Sequence, residues 1–280
     1  MNDYLIRNIR IADGSCGVSP FPFTEKHNDE LKAYCAQISV DAPEDHWKKW
    51  SSYKGYRQDA AAQDPLINDL HLVGHGSLRI AVMGMENRPP TDEEMRQMKD
   101  LLREAMENGA TGMSSGLIYP PGVYSGSEEI TELCRVLAEY DGVYSTHMRN
   151  EGAHILEALA EAINAGLESG CKVLISHHKI TGGDPELQKA AFDMMEEARS
   201  AGLRIINDQY MYNTGSTTMA ALLPPYVLED GIAAANEKLA DPAYRERVRE
   251  SILKDTDWQN FLHETDHDTI IVIRADSTPQ

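Results

Sequence analysis

The sequence predicts a parallel α/β fold built from successive strand–helix units, and three observations predict it. Short β-branched runs alternate with helical periods from about residue 78 to residue 210. The centres of the strand-like runs, near residues 82, 114, 145, 175 and 207, lie 32, 31, 30 and 32 apart. A strand, a helix and two short loops take about thirty residues, so the spacing is that of βα units with parallel strands. The third observation is size: 280 residues, 41% of them hydrophobic, with 20 Gly and 13 Pro, supply a core for one large domain or two ordinary ones. Doubly wound sheets and (β/α)8 barrels share this signature, and in both the functional groups lie at the C-terminal ends of the strands.

The elements follow in order. Residues 79–84, Arg-Ile-Ala-Val-Met-Gly, read as a buried strand. Thr91-Asp92-Glu93-Glu94 then supplies a capping box for a helix whose apolar stripe, Met95, Met98, Leu101, Leu102, Ala105 and Met106, is core packing and stops at Gly109. A strand is expected at 111–117, a helix at 127–140, a strand at 142–148, a helix at 153–166 and an extended run at 171–179. Asp184-Pro185 gives an N-cap with proline at N1 for a helix ending near Gly202, and 204–210 is the next strand. Residues 24–70 lack firm periodicity and read as a helical excursion over the strand ends. Beyond Thr217, Leu222-Leu223-Pro224-Pro225 breaks the chain, Asp241-Pro242 opens a charged helix through Leu253, and 269–273 looks like a strand.

Charge and cysteine content narrow the function. The 45 Asp and Glu against 26 Lys and Arg leave a formal charge of −19, a field that repels phosphate backbones and anionic membranes. Neither a nucleic-acid partner nor a membrane is expected. With no apolar run of spanning length and no basic leader at Met1-Asn2-Asp3-Tyr4, a cytoplasmic protein is expected. The four cysteines, none in a Cys-x-x-Cys pair, do not make a disulfide framework.

The histidines carry the chemistry. His147 ends one expected strand and His177 the next, 30 residues on, so their side chains can converge above the sheet. Two neutral imidazoles so placed suit a transition metal, zinc above all, although a histidine at a strand end can equally be a hydrogen-bonding residue. His178 alternates to the other face and is expected against a helix. His147 with Glu151 is not the His-Glu-x-x-His pattern of metalloproteases, and no Gly-x-Gly-x-x-Gly or Walker loop follows a strand. His75, in Gly74-His75-Gly76-Ser77, reads as a loop hydrogen-bonder.

Five motifs together resemble a known family: Gly14-Ser15-Cys16-Gly17, Gly112-Met113-Ser114-Ser115-Gly116-Leu117, Ser145 through Glu151, Ile175 through Lys179, and Gly215-Ser216-Thr217 with the Leu-Leu-Pro-Pro at 222–225. Their order is similar to that of the N-acyl-D-amino-acid deacylases of the amidohydrolase superfamily, over most of residues 14–255. The resemblance implies a (β/α)8 TIM-like barrel with zinc at the strand ends, bound by Cys16 on the second barrel strand and by His147 and His177 on the fifth and sixth. It also implies that Lys179, Tyr210 and Ser216 hold the carboxylate of a small N-acyl amino acid, which a cation and hydroxyl donors suit chemically.

Two departures shape the expectation. The family opens with a small β-sandwich strand resembling residues 4–14, then reaches a His-x-His or His-x-Asp pair on the first barrel strand. No histidine precedes Cys16 here. His27-Asn28-Asp29 reads as a solvated loop, and His267-Asp268 lacks the spacing residue. The aspartate that shuttles protons on the family's eighth strand is likewise missing, and Asp208 on the seventh is the substitute base. The expected fold is therefore an incomplete barrel with strands two to seven recognisable (residues 15–280), preceded by a remnant of the sandwich strand (1–14). Its open edges are to be covered or paired, a homo-oligomer being one way. The expected function is zinc-dependent hydrolysis of N-acyl-D-amino acids. The alternative is a weak or inactive truncated amidohydrolase that binds zinc or a partner chain.

Overall fold

The computed structural model describes residues 10–36, 42–63, 68–254, 257–265 and 270–271. Among them six strands form one sheet: β1 (Arg10–Asp13), β2 (Asn68–Gly74), β3 (Gly112–Gly116), β4 (Val143–His147), β5 (Lys172–Ile175) and β6 (Ile205–Asn207). All neighbours pair in parallel and the spatial order equals the chain order. A doubly wound sheet reverses direction at a switch point; this one never does. Every crossover steps one strand further the same way, which leaves the helices on a single face.

That face is covered by α5 (Asp92–Glu107), α6 (Ser127–Glu139), α7 (Ile155–Ser169) and α8 (Pro185–Ser200). Their starts follow local chemistry. At α5 the Thr91 hydroxyl accepts from the Glu94 amide at 3.3 Å while the Thr91 amide donates to Glu94 at 2.8 Å, completing the expected box. At α8 the Asp184 carboxylate accepts from the amides of Glu186 and Leu187 and Pro185 fills N1. Met98, Leu102, Leu133, Leu137, Leu159 and Met195 from these helices meet Val73, Met113, Tyr144, Val173 and Ile205 from the sheet in one buried core. The alternate residues, among them Ser114, Ser145 and His147, therefore point to the opposite, inner face.

The second unit corrects the sequence reading. Residues 79–84 are not a strand: α4 (His75–Met83) is a helix in which every residue is buried. The strand is the segment before it, Asn68–Gly74. A helix enclosed on all sides has no polar stripe, so its apolar run looks like a buried strand. Arg79, fully buried, is held on this helix by Glu129 of α6 at 2.5 Å and by the carbonyl of Arg88 at 3.0 Å, and His75 donates to the same carboxylate at 2.6 Å. Burial pushes the Glu129 carboxyl upward, but the hydrogen bond and charge of His75 and Arg79 outweigh it and hold it below its ordinary range. His75 is thus a hydrogen-bonder, as expected, but inside a buried ion cluster.

Residues 24–62 bear out the helical excursion with α1 (Asn28–Ala36), α2 (Glu44–Lys49) and α3 (Tyr53–Ala62). Leu31, Tyr34, Trp47 and Trp50 pack there with Ile80 of α4. The His27-Asn28-Asp29 triplet is not a solvated loop: His27 ends a 3-10 turn and pairs with Glu30, while Asn28 and Asp29 open α1. Toward the C-terminus α9 (Gly231–Ala240) and the expected charged helix α10 (Pro242–Lys254) build a satellite cluster around Val227, Leu228, Ala235 and Val248, and the short α11 (Phe261–Glu264) follows. The strand expected at 269–273 and the His267-Asp268 pair fall almost wholly outside the described residues. Residues 10–13, expected as part of a sandwich remnant, instead form the edge strand of the parallel sheet, with Asp13 opposite His71.

Candidate metal centre

Cys16, His147 and His177 come together at the C-terminal ends of β1, β4 and β5. One donor atom from each lies within 4.8 Å of the others. Cys16 Sγ is 3.5 Å from His177 Nε2, and the two imidazoles cross at 80° with centroids 4.5 Å apart. Two strands lie between β1 and β4 and three between β1 and β5, and β1 and β5 would stand about 19 Å apart in a flat sheet at ~4.8 Å per strand. A curl of the sheet about its inner face and the turn after β1, which Ser114 of β3 bonds at Gly14 and Gly17, together close that distance.

The backbone around each donor is built for its place. Cys16 sits at φ 54 in the turn after β1, followed by Gly17 at φ 80. A Cβ on Gly17 would lie 2.7 Å from the amide nitrogen of Gly116, so only glycine fits there. Ser114 of β3 staples this turn, accepting from the Gly17 amide at 3.0 Å and donating to the Gly14 carbonyl. His147 is the last residue of β4 and 5% exposed, and Tyr119 meets its ring edge-on at 5.2 Å. His177, at φ 39, is fastened through its amide, which donates to the Asp208 carboxylate at 2.5 Å, while the His178 amide donates to the Asp208 carbonyl. His178 turns away as expected, bonding Gln188 of α8 at 2.8 Å beside Phe192.

Glu151, 1% exposed, lies under the cluster. It accepts from His177 Nδ1 at 2.9 Å and from Lys179 Nζ at 2.5 Å, and its second contact with a donor residue is His147 Nε2 at 3.4 Å. Burial opposes its ionisation, but the charge of His147, the bond from His177 and the charge of Lys179 pull its pKa down to about 2. Burial likewise opposes the Cys16 thiolate, and hydrogen bonds from His147 and His177 with their charges more than offset it, lowering the thiol from 9.0 to about 6. His177 answers in the other direction: burial disfavours its cation, while Cys16 and Glu151 raise it to about 9.

The residues fit a metal ion. A thiolate, two imidazoles and a carboxylate behind one of them are zinc-type donors. Among the described residues neither ring nitrogen of His147 makes a well-formed hydrogen bond; its polar neighbours are the Cys16 sulfur and, 3.4 Å from Nε2, the Glu151 carboxylate, a poorly satisfied state that a buried imidazole rarely tolerates. A second group of donors, Asp13, Asp69 and His71, also lies within 4.8 Å. There His71 Nδ1 faces Asp13 at 2.6 Å and Nε2 faces Asp69 at 2.9 Å, so both ring nitrogens are committed to carboxylates.

Of the other expected site residues, Lys179, Tyr210 and Asp208 lie beside His177, and among the described residues no contact ties Ser216 to the cluster. Lys179 Nζ lies 5.8 Å above the Tyr210 ring and 3.3 Å from His177 Nδ1. Tyr210 stacks on Tyr212 at 4.8 Å. Ser216 is exposed in the coil after β6, next to Gly215, where an added Cβ would stand 3.6 Å from the Tyr210 hydroxyl. Asp208, exposed at the end of β6, has one carboxylate oxygen committed to the His177 amide. Sequence reasoning missed Glu151 as a functional residue. Its signal was present in the four-residue spacing from His147, which the metalloprotease comparison considered and set aside.

Fold and site define a singly wound parallel α/β protein with a Cys-His-His cluster at its strand ends. No protein-family model matches the chain. It is 37% identical over 215 residues to a D-aminoacylase of Alcaligenes xylosoxydans xylosoxydans, across 75% of this chain and 42% of that protein. An N-acyl-D-aspartate deacylase of the same organism is 32% identical over 211 residues, across 75% and 41%. Among solved structures, an N-acyl-D-glutamate deacylase from Bordetella bronchiseptica, complexed with zinc and a phosphonate mimic of the tetrahedral intermediate, superposes with a TM-score of 0.62. It is 32% identical, across 72% of this chain and 41% of that one. Over the matched span the chain is similar to the D-aminoacylases in both sequence and fold. It spans about two fifths of the length of the curated relatives it matches.

Proposed function

We propose that Cys16, His147 and His177 hold one zinc ion and that this chain carries the metal-binding and carboxylate-binding side of an N-acyl-D-amino-acid deacylase. The observation that carries the reading is the convergence of three donors from the ends of β1, β4 and β5, with neither His147 nitrogen in a well-formed hydrogen bond among the described residues. The consecutive order and curl of the sheet support a (β/α)8 barrel in which β1–β6 correspond to its second to seventh strands. When bound, zinc supplies a lowered pKa for a water ligand and polarisation of an amide carbonyl.

The chain's own residues supply the rest. Lys179 offers the cation for a substrate carboxylate, with the hydroxyls of Tyr210 and Ser216 as further donors on the same side. Asp208 is assigned the proton transfer from water to leaving amine through the oxygen not bonded to His177; a base so placed contributes typically ~10²–10⁴-fold. Ile206 on the edge strand β6 is 61% exposed, and this edge is where pairing with a second copy is placed. Among the described residues no helix is long and apolar enough to cross a membrane.

The test is metal content by mass spectrometry alongside hydrolysis of N-acetyl-D-methionine and its L-isomer. About one zinc per chain with D-selective hydrolysis is expected, and His177→Ala should lose the zinc. Unchanged metal in that variant would sink the site assignment; zinc without hydrolysis would favour the inactive alternative.

A further inference from the structure

Glu151 touches groups that the zinc reading gives separate tasks. One carboxylate oxygen accepts from His177 Nδ1 at 2.9 Å, and the other accepts from the Lys179 ammonium at 2.5 Å and faces His147 Nε2 at 3.4 Å. The carboxylate cannot drift between them. Its amide donates to the Gln259 side-chain oxygen, its carbonyl accepts from the Thr181 amide at 2.7 Å, and the preceding Asn150 side chain ties down the amides of Gly152 and His154. The side chain is 1% exposed, so water does not screen either contact.

From this bridge we infer that Glu151 is a positioning residue that couples metal affinity to occupancy of the carboxylate site at Lys179; the inference rests on the zinc reading above. A carboxylate bound at Lys179 competes with Glu151 for the ammonium. Glu151 is then left to His177, and a stronger acceptor on Nδ1–H makes Nε2 a better donor to a metal. The same carboxylate also neutralises a cation 3.3 Å from the His177 ring. By linkage the effect is reciprocal, so bound zinc must strengthen carboxylate binding by the same factor.

The experiment titrates zinc into the full chain against a chromophoric chelator, with and without saturating 4-(methylthio)butanoate, a carboxylate that lacks the acyl amide. In the unsubstituted protein the carboxylate should tighten zinc by about fivefold or more. Glu151→Gln should weaken zinc by about 10–100-fold and remove the response to the carboxylate. Lys179→Met leaves Glu151 to His177 permanently, so it should bind zinc more tightly than the unsubstituted protein does without carboxylate, and show no response. The second variant keeps the test decisive should Glu151→Gln fail to fold. Zinc affinity in Glu151→Gln within twofold of the unsubstituted protein, or a response that survives in either variant, would overturn the coupling while leaving the metal site standing. Failure of the unsubstituted chain to bind zinc would remove the reading beneath it as well.

Discussion

The Cys16 thiol offers a readout of the cluster that needs no substrate. In the zinc-stripped protein its pKa of about 6, against an ordinary 9.0, should appear as the inflection of its alkylation rate with pH. At pH 7 such a group is roughly nine-tenths thiolate where an ordinary thiol is about one-hundredth, a ~90-fold gain; a Brønsted coefficient of about 0.4–0.5 takes back ~15- to 30-fold, leaving about a three- to sixfold faster reaction than a free reference thiol. The other cysteines do not obscure the signal. Burial pushes Cys35 up to about 12 and Cys134 well above its ordinary value, and Cys171 is 1% exposed. The assay is iodoacetamide labelling followed by peptide mass spectrometry from pH 5 to 10. His177→Ala removes a hydrogen bond and a cation, so the inflection should climb toward 9, and stoichiometric zinc should block labelling altogether. An inflection near 9 in the unsubstituted chain, or labelling undiminished by zinc, would refute the convergence of these three side chains.

Other outcomes follow from particular contacts. Arg79→Leu strands the buried Glu129 carboxylate with His75 alone, and urea denaturation should show a loss of about 3–5 kcal/mol; a change under 1 kcal/mol would mean that water reaches Glu129. Gly17→Ala puts a side chain at φ 80 against the Gly116 backbone, with a strain on the order of 1–3 kcal/mol, and should displace Cys16 and weaken zinc binding measured by chelator competition. Glu151 has its pKa depressed from 4.5 to about 2, so its contribution to stability is complete above 4.5 and is lost as pH falls toward 2. The stability gap between the unsubstituted protein and Glu151→Gln should therefore narrow across that window in acid denaturation; a gap that widens toward low pH would reverse the assignment.

Much of this architecture was legible in the sequence because its helices are one-sided. In α5 and α8 the apolar stripe, the cap and the stop are all local, and they place β3 through β6 between them. The second unit was illegible for the converse reason: α4 is buried all round, and β2 interleaves Asp69 and His71 with Leu70, Leu72 and Val73, so the helix looked like a strand and the strand like a loop. The convergence of Cys16, His147 and His177 was readable from strand-end position and motif. Their supports were not. Glu151, Ser114 and the hydrogen bond from the His177 amide to Asp208 depend on where turns bring the chain, which periodicity does not encode. Residues 10–13 were misread for a related reason: a lone short strand does not announce which sheet it joins.

The curl of the sheet has a consequence at a distance. Cys16 reaches the cluster through a turn stapled to β3 by Ser114, and Met113 of β3 lies in one core with Val73, Met98 and Leu102 behind the sheet. If the three donors hold zinc as proposed, its affinity would gauge how those strands are held. Shaving a methylene from Leu102 or Met113 would widen the gap between the strand ends before it unfolded anything, and the binding constant would register the change. Selection for a tight metal site would then act on core residues that touch neither metal nor substrate.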